Sequence, residues 1–372
     1  MPTIRPDIAS IGPYVPGKSI DEVAAEIGMA PDEIVKLASN ESPDGPFPGV
    51  IEAATKALFE ASRYPDDDLR ELSTAVSDFL GVPADHLWFG SGSVGLIGHL
   101  ATSVGGPGTS AVYAWPSFVM YRIATRLAMS EAIEVPLDEN YVHDLDAIAE
   151  ALRPDTTVVY LCNPNNPSGT VVGADVMSDF VDSVPESTLV VIDEAYHDYV
   201  TDERYASAIP EALGRPNVLV LRTFSKIFAL AGHRVGYAVG LPVTITELRK
   251  AQPPFTVGQV AQAAATASLR DGAELERRRT ANADARHQLQ GVLAERSLPH
   301  ADSQANFVYF ELPIAASEAA SLFMRRGVIV RPMSAGWLRV TIGSGEENRR
   351  FVEALDEVLA QHSGGLGVAP QI

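Results

Sequence analysis

Thr157-Val158-Val159-Tyr160-Leu161, followed by Cys162 and then Asn163-Pro164-Asn165-Asn166-Pro167-Ser168-Gly169, is the stretch on which the reading of the fold turns. A β-branched and aromatic run closed by a Pro, Asn and Gly cluster marks a strand that ends abruptly in a loop. The same pattern recurs on both sides of it. His86 to Phe89 runs into Gly90-Ser91-Gly92-Ser93, Thr188 to Ile192 into Asp193-Glu194-Ala195-Tyr196, and Val218 to Leu221 into Arg222-Thr223-Phe224-Ser225-Lys226. Ser110 to Tyr113 and Val235 to Val239 are further strand candidates, and intervening segments such as Val94 to Val104 and Ala174 to Val181 read as helices. Short buried strands alternating with helices predict an α/β fold whose mainly parallel sheet is covered on both faces.

Outward from this centre the pattern changes. Residues 1–30, Pro-rich through Pro16, read as an N-terminal arm, and residues 31–247 as a large domain. Beyond Pro253-Pro254 a long Ala, Arg and Gln-rich stretch, Gln259 to Leu293, reads as one helix. Two strand candidates, Asn306 to Glu311 and Leu338 to Ile342, then flank a helix near Ser317 to Arg326. Residues 248–372 are therefore expected to form a smaller α+β domain.

The composition bounds the function. In 372 residues, 28 Lys and Arg face 48 Asp and Glu, a formal charge of −20, and the hydrophobic share of 46% supports a substantial core. Such an acidic balance argues against nucleic acid or an anionic membrane as partner, because phosphate-tracking surfaces carry excess Lys and Arg. The single cysteine, Cys162, leaves no internal disulfide, and no apolar run approaches the roughly 20 residues of a spanning helix. The N-terminus lacks the basic-then-apolar order of a signal peptide, so a cytoplasmic protein is expected. The acidic run Asp66-Asp67-Asp68 reads as a solvated turn or helix N-terminus, the eight histidines show no metal spacing, and no metal is expected.

In an open α/β sheet, ligands sit outside the carboxyl ends of the strands, so four polar endings predict one site. The Gly-Ser-Gly-Ser turn offers backbone N–H groups and the positive end of a helix dipole to a phosphate. Asp193, closing an apolar strand, is a partly buried carboxylate in need of a cationic or hydrogen-bonding partner to remain ionised. Lys226, near an apolar floor, has an amine able to form a Schiff base with a carbonyl. Each has a plainer reading in isolation: a strand-to-helix connection, a helix N-cap, a surface lysine, and for Asn166 a turn residue before Pro167. Together with Arg234, eight residues after the lysine, they are the parts needed to hold pyridoxal phosphate and use it as an electron sink.

The motifs Asn163 to Gly169, Asp193-Glu194-Ala195-Tyr196 and Thr223-Phe224-Ser225-Lys226, with Ala231-Gly232-His233-Arg234-Val235-Gly236-Tyr237, resemble the fold-type I, class II pyridoxal-phosphate aminotransferases. The resemblance runs from Leu37-Ala38-Ser39-Asn40-Glu41 to Arg339-Val340-Thr341 and implies a mainly parallel seven-stranded sheet. Within that family the chain is similar to the histidinol-phosphate aminotransferase branch, and especially to actinobacterial aromatic (phenylalanine) aminotransferases. The residues behind the finer likeness are Tyr14 to Lys18, Leu37 to Glu41, Gly92-Ser93-Val94, Pro254-Phe255-Thr256-Val257 and Ser303 to Phe307.

The resemblance implies roles. Lys226 would carry the imine and shuttle the substrate proton, Asp193 would pair with the ring nitrogen, and Tyr196 and Asn166 would bond the ring's phenolic oxygen. Phe118, in Trp115-Pro116-Ser117-Phe118, would stack on the ring, with a core aromatic as its plainer reading. Gly92, Ser93, Val94, Thr223, Ser225 and Arg234 would surround the phosphate. Tyr64 would reach the site of a neighbouring subunit, implying a homodimer with composite sites. Arg339 would clamp the substrate carboxylate with its planar fork, which a lysine lacks, while Asn40, Tyr14 and Arg331 are further substrate contacts. The implied reaction is ping-pong transfer of an amino group from an amino acid to a 2-oxo acid.

Two departures separate the chain from the branch acting on histidinol phosphate. That branch has an acidic pair where this chain has Ser93-Val94-Gly95, and a longer loop than Met333 to Leu338. Both favour an aromatic amino acid with 2-oxoglutarate as acceptor; histidinol-phosphate transamination is the alternative.

Overall fold

The computed structural model describes residues 4–9, 11–12 and 17–365. Its first strand, β1 (Val35–Lys36), belongs to a two-stranded sheet taken up below. The next seven are β2 (Leu87–Gly90), β3 (Ser110–Trp115), β4 (Glu131–Pro136), β5 (Thr156–Cys162), β6 (Leu189–Asp193), β7 (Val218–Thr223) and β8 (Gly236–Val239). They form one sheet in the order β2-β8-β7-β6-β5-β3-β4. All neighbours run parallel except β8, which is antiparallel to both β2 and β7. The seven-stranded, mainly parallel sheet implied by the resemblance is present. Strand β4 has no counterpart among the sequence candidates.

The central strands are buried on both faces, and alternation along them divides the core. From β5, Val158, Tyr160 and Cys162 enter one cluster with Leu96, Leu100 and Tyr121, while Val159 and Leu161 enter another with Phe180 and Phe224. The same count along β6 sends Val191 to the first face and Ile192 to the second. Asp193, one residue on, therefore falls on the Tyr121 side, and Glu194 turns away to the buried Arg222, whose Nη2 donates to it at 2.8 Å. Two adjacent acids thus have separate environments.

Four further strands, β9 (Phe307–Glu311), β10 (Val328–Ile329), β11 (Arg331–Pro332) and β12 (Trp337–Thr341), complete the fold. Antiparallel pairing orders three of them β11-β12-β9, and β10 pairs in parallel with β1. Val35 and Leu37 accordingly lie in a second core with Phe310, Phe323, Leu338 and Phe351. The expected single helix from Gln259 to Leu293 is two helices, Gln259–Ser268 and Gly272–Glu295. Asp271 separates them by capping the second, its carboxylate accepting from the N–H of Glu274 at 3.0 Å. The first of the two packs Ala261, Ala264 and Ala265 into the core of the large sheet, although the sequence assigns it to the smaller unit. No helix among the described residues is long and apolar enough to cross a membrane. Asp66 accepts from the N–H groups of Asp68 and Arg70, at the start of the helix Arg70–Leu80.

Candidate active site

Parallel pairing puts Cys162 of β5 level with Asp193 of β6, and Asp193 level with Leu221 of β7. The loops leaving these strands therefore emerge side by side, at the carboxyl edge where the sequence expects a site. They border a cavity of about 210 Å³ lined by Ser93, Val94, Phe118, Asn166, Asp193, Tyr196, Thr223, Ser225, Lys226, Arg234, Arg331 and Arg339, among others. A wider, shallower depression between the helices Arg70–Leu80 and Gln259–Ser268 contains none of the expected site residues.

One end of the cavity is built for an anion. The helix Gly92–Val104 begins there with no side-chain cap on its first N–H groups, and Ser93, Thr223 and Ser225 supply hydroxyls. Arg234 Nη1 donates to Ser225 Oγ at 3.2 Å and to the Ala231 carbonyl at 2.9 Å. Two glycines make room. A Cβ on Gly92 would lie 2.4 Å from Arg234 Nη2, and one on Gly236 would lie 2.6 Å from the Ser93 nitrogen. The guanidinium and the helix start close on each other only because both positions lack a side chain.

Asp193 occupies the floor, 1% exposed. Its Oδ2 accepts from the Tyr121 hydroxyl at 3.0 Å and its Oδ1 from the Ala195 N–H at 3.2 Å. Burial raises its pKa to about 6, against the pull of those two donors and of the Lys226 amine. Lys226 is shifted the other way, to about 8, by burial and by the Arg339 cation. Its Nζ donates to the Asn40 carbonyl at 3.3 Å and lies 5.3 Å from the centre of the Tyr196 ring. An amine lowered this far is a usable nucleophile near neutral pH.

Asn40 is more deeply embedded than the sequence suggests. Its backbone is left-handed, with φ at 54°, a conformation asparagine tolerates. Its amide Nδ2 donates to the Tyr196 hydroxyl at 2.9 Å, and its N–H donates to Thr341 Oγ1 at 2.9 Å. Asn306 Nδ2 shares the carbonyl used by Lys226, at 3.2 Å. On the facing wall, Arg339 Nη1 donates to Asn166 Oδ1 at 2.5 Å and Nη2 to the Ala38 carbonyl at 2.8 Å. Arg331 lies opposite Arg339 across the β11–β12 pair and also borders the cavity.

Not every expected residue joins this group. Tyr14 lies outside the described residues. Tyr64 is 80% exposed and stacks on Phe255, ring centres 4.6 Å apart, away from the cavity lining. Gly92 acts through the space it leaves. The sequence reading misses Tyr121, one helical turn beyond Phe118, as well as Thr341, Asn306 and the Ala38 carbonyl. Spacing from Phe118 is the one signal that marks Tyr121; the others are partners only in three dimensions.

Residues 32–355 match the family model described as aminotransferase class I and II. Histidinol-phosphate aminotransferase of Moorella thermoacetica is 41% identical over 365 residues, covering 97% of this chain and 94% of the relative. Aromatic amino acid aminotransferase of Streptomyces coelicolor is also 41% identical, over 356 residues, covering 96% and 97%. Among solved structures, histidinol-phosphate aminotransferase from Sinorhizobium meliloti, in complex with pyridoxal-5'-phosphate, matches with a TM-score of 0.88 at 27% identity, covering 96% of this chain and 98% of that one. The anion cradle at one end of the cavity and the buried carboxylate and amine beyond it fit that cofactor's phosphate, ring nitrogen and carbonyl.

Proposed function

The chain belongs to the class I and II aminotransferases, pyridoxal-phosphate-dependent enzymes, and from that premise we propose that it moves the amino group of an aromatic L-amino acid such as phenylalanine to a 2-oxo acid such as 2-oxoglutarate. One observation carries the choice of substrate. Among the described residues bordering the cavity, Asp193 is the only carboxylate, and it is already engaged by Tyr121 and the Ala195 N–H. An imidazole side chain has no acidic partner there, whereas an uncharged aromatic ring needs none. Histidinol phosphate remains the second reading because Arg331, beside Arg339, presents a further guanidinium suited to a phosphate.

When bound, pyridoxal phosphate supplies a carbonyl that captures amines and a ring that accepts the electron pair released at the substrate's Cα. Arg339 orients the α-carboxylate in its fork. Lys226 Nζ, once free, would take the proton from Cα and shuttle it between that carbon and the cofactor's carbonyl carbon, two bonds away across the nitrogen. Asp193 would hold positive charge at the ring nitrogen, Tyr196 Oη and Asn166 would bond the ring's phenolic oxygen, and Phe118 would close one ring face against water. A half-reaction followed by the absorbance of the bound cofactor tests the substrate. Phenylalanine should convert it to the amine form and 2-oxoglutarate should reverse this; conversion by histidinol phosphate alone transfers the assignment to the second reading.

The functional unit in this proposal is a homodimer. Ile51, Leu58, Phe59, Tyr64 and Phe255 are exposed apolar side chains, with Phe59 at 86%, and Tyr64 stacks on Phe255 among them. A second copy covering them would carry Tyr64 to the other subunit's cavity. Sedimentation should give twice the chain mass, with Phe59→Asp shifting the population towards monomer; a monomeric, fully active parent protein would end this part of the proposal.

A further inference from the structure

Tyr121 has no role in the reading above, yet it touches several parts of the site. It is fully buried on the helix Val119–Leu127, one turn after Phe118. Its ring stacks on Tyr160, centres 4.9 Å apart and planes 7° from parallel, and meets Phe118 edge-on at 5.7 Å and 89°. Those two contacts fix the ring, so the hydroxyl lies 3.0 Å from Asp193 Oδ2, with the Cys162 sulfur as its other polar neighbour. The hydroxyl of Tyr160, by contrast, is buried without a hydrogen-bond partner.

We propose that Tyr121 is a positioning residue that holds the Asp193 side chain in place and keeps its carboxylate, rather than a carboxylic acid, opposite the cofactor's ring nitrogen. A carboxylate and a ring nitrogen that meet in a buried site share one proton, and whichever is the stronger base keeps it. Donation from Tyr121 makes the carboxylate the weaker base and leaves the proton on the ring, where electron withdrawal depends on it. The other groups around Asp193 do not replace this donor. The Ala195 N–H serves the other oxygen, Oδ1, Cys162 gives its S–H to the Pro164 carbonyl at 3.3 Å, Glu194 faces Arg222, the Tyr196 hydroxyl accepts from Asn40, and Lys226 is the amine the reaction itself uses.

The inference rests on the proposed role of Asp193, and the experiment separates the two. Holoenzyme loaded with ring-15N pyridoxal phosphate reports the protonation of that nitrogen directly by NMR. In the parent protein the signal should be that of a protonated ring; an unprotonated signal removes the role of Asp193 and the inference with it. In Tyr121→Phe, which keeps both ring contacts, the signal should move towards the unprotonated form. The rate of the phenylalanine half-reaction should fall about tenfold, with KM changed less than about twofold. Tyr160→Phe is the matched control and should leave signal and rate unchanged. A protonated parent whose signal does not move in Tyr121→Phe overturns the inference alone, as does an equal loss of rate in both variants. Should Tyr121→Phe fail to fold, p-aminophenylalanine at position 121 keeps the ring with a weaker donor, and its signal must shift in the same direction.

Discussion

Lys226→Ala is expected to slow the half-reaction with phenylalanine by at least about 10⁴-fold, because in the proposed mechanism one side chain supplies both the attachment point and the general base. Cofactor should still bind, since Ser93, Ser225 and Arg234 are untouched. The spectrum of the bound cofactor should then be that of a free aldehyde and show no rapid response to amino acid. A variant retaining more than about a hundredth of the parent rate would remove Lys226 from the mechanism. The parent carries a matching pH signature. With the amine lowered to about 8, its uncharged fraction rises about tenfold per pH unit below that value and levels above it. Capture of pyridoxal phosphate by the cofactor-free protein should follow the same curve; one still rising steeply above about pH 9 would mean that another, unshifted amine is the nucleophile.

The second large effect belongs to Asp193→Asn. The amide keeps the shape and still accepts from Tyr121, but it leaves the ring nitrogen without a buried counter-charge. Breaking a buried pair costs about 3–5 kcal/mol, or about 2 × 10²- to 5 × 10³-fold in rate, and the loss should appear in kcat rather than KM. Stability should move the other way. Because burial lifts the folded-state pKa of Asp193 to about 6, above its usual 3.8, the native protein binds the extra proton between these values. Its contribution to stability is therefore present below about 3.8 and lost as pH rises through about 6. At pH 7 the ionised carboxylate is a burden on the cofactor-free fold, and the asparagine variant should melt no lower than the parent. A variant that melts well below the parent would mean that Asp193 holds the fold rather than tuning the site.

What could be read from the chain itself was what local chemistry repeats. The buried strands β5, β6 and β7 announce themselves as β-branched runs, and their polar endings line up because parallel pairing brings like ends together. Strand β4 escaped because it lies at the sheet edge. Glu131-Ala132-Ile133-Glu134-Val135-Pro136 is largely exposed, and its charges and proline suit an edge while erasing the apolar signature. The break near Asp271 was visible only as a cap within an otherwise helical composition. Tyr121, and the bond by which Asn40 meets Tyr196, escape the sequence for a different reason. Their significance lies in partners 72 and 156 residues away, Asp193 and Tyr196, and nothing local to either residue encodes such a meeting.

The pairing of β1 with β10 joins Val35 to Val328, and the backbone N–H of Thr341 donates to the Leu37 carbonyl at 2.8 Å. During synthesis, then, the first strand emerges long before its partner exists, and roughly 290 residues must be translated before the seam can close. Until that moment Val35 and Leu37 have no core to enter, and Asn40 and the Ala38 carbonyl, which hang from the same segment, have no fixed address. A ribosome stalled anywhere before the last strands would therefore hold a chain whose central sheet can form but whose catalytic cleft cannot. Closure of the cleft within one chain thus waits on a late pairing between segments far apart in the sequence.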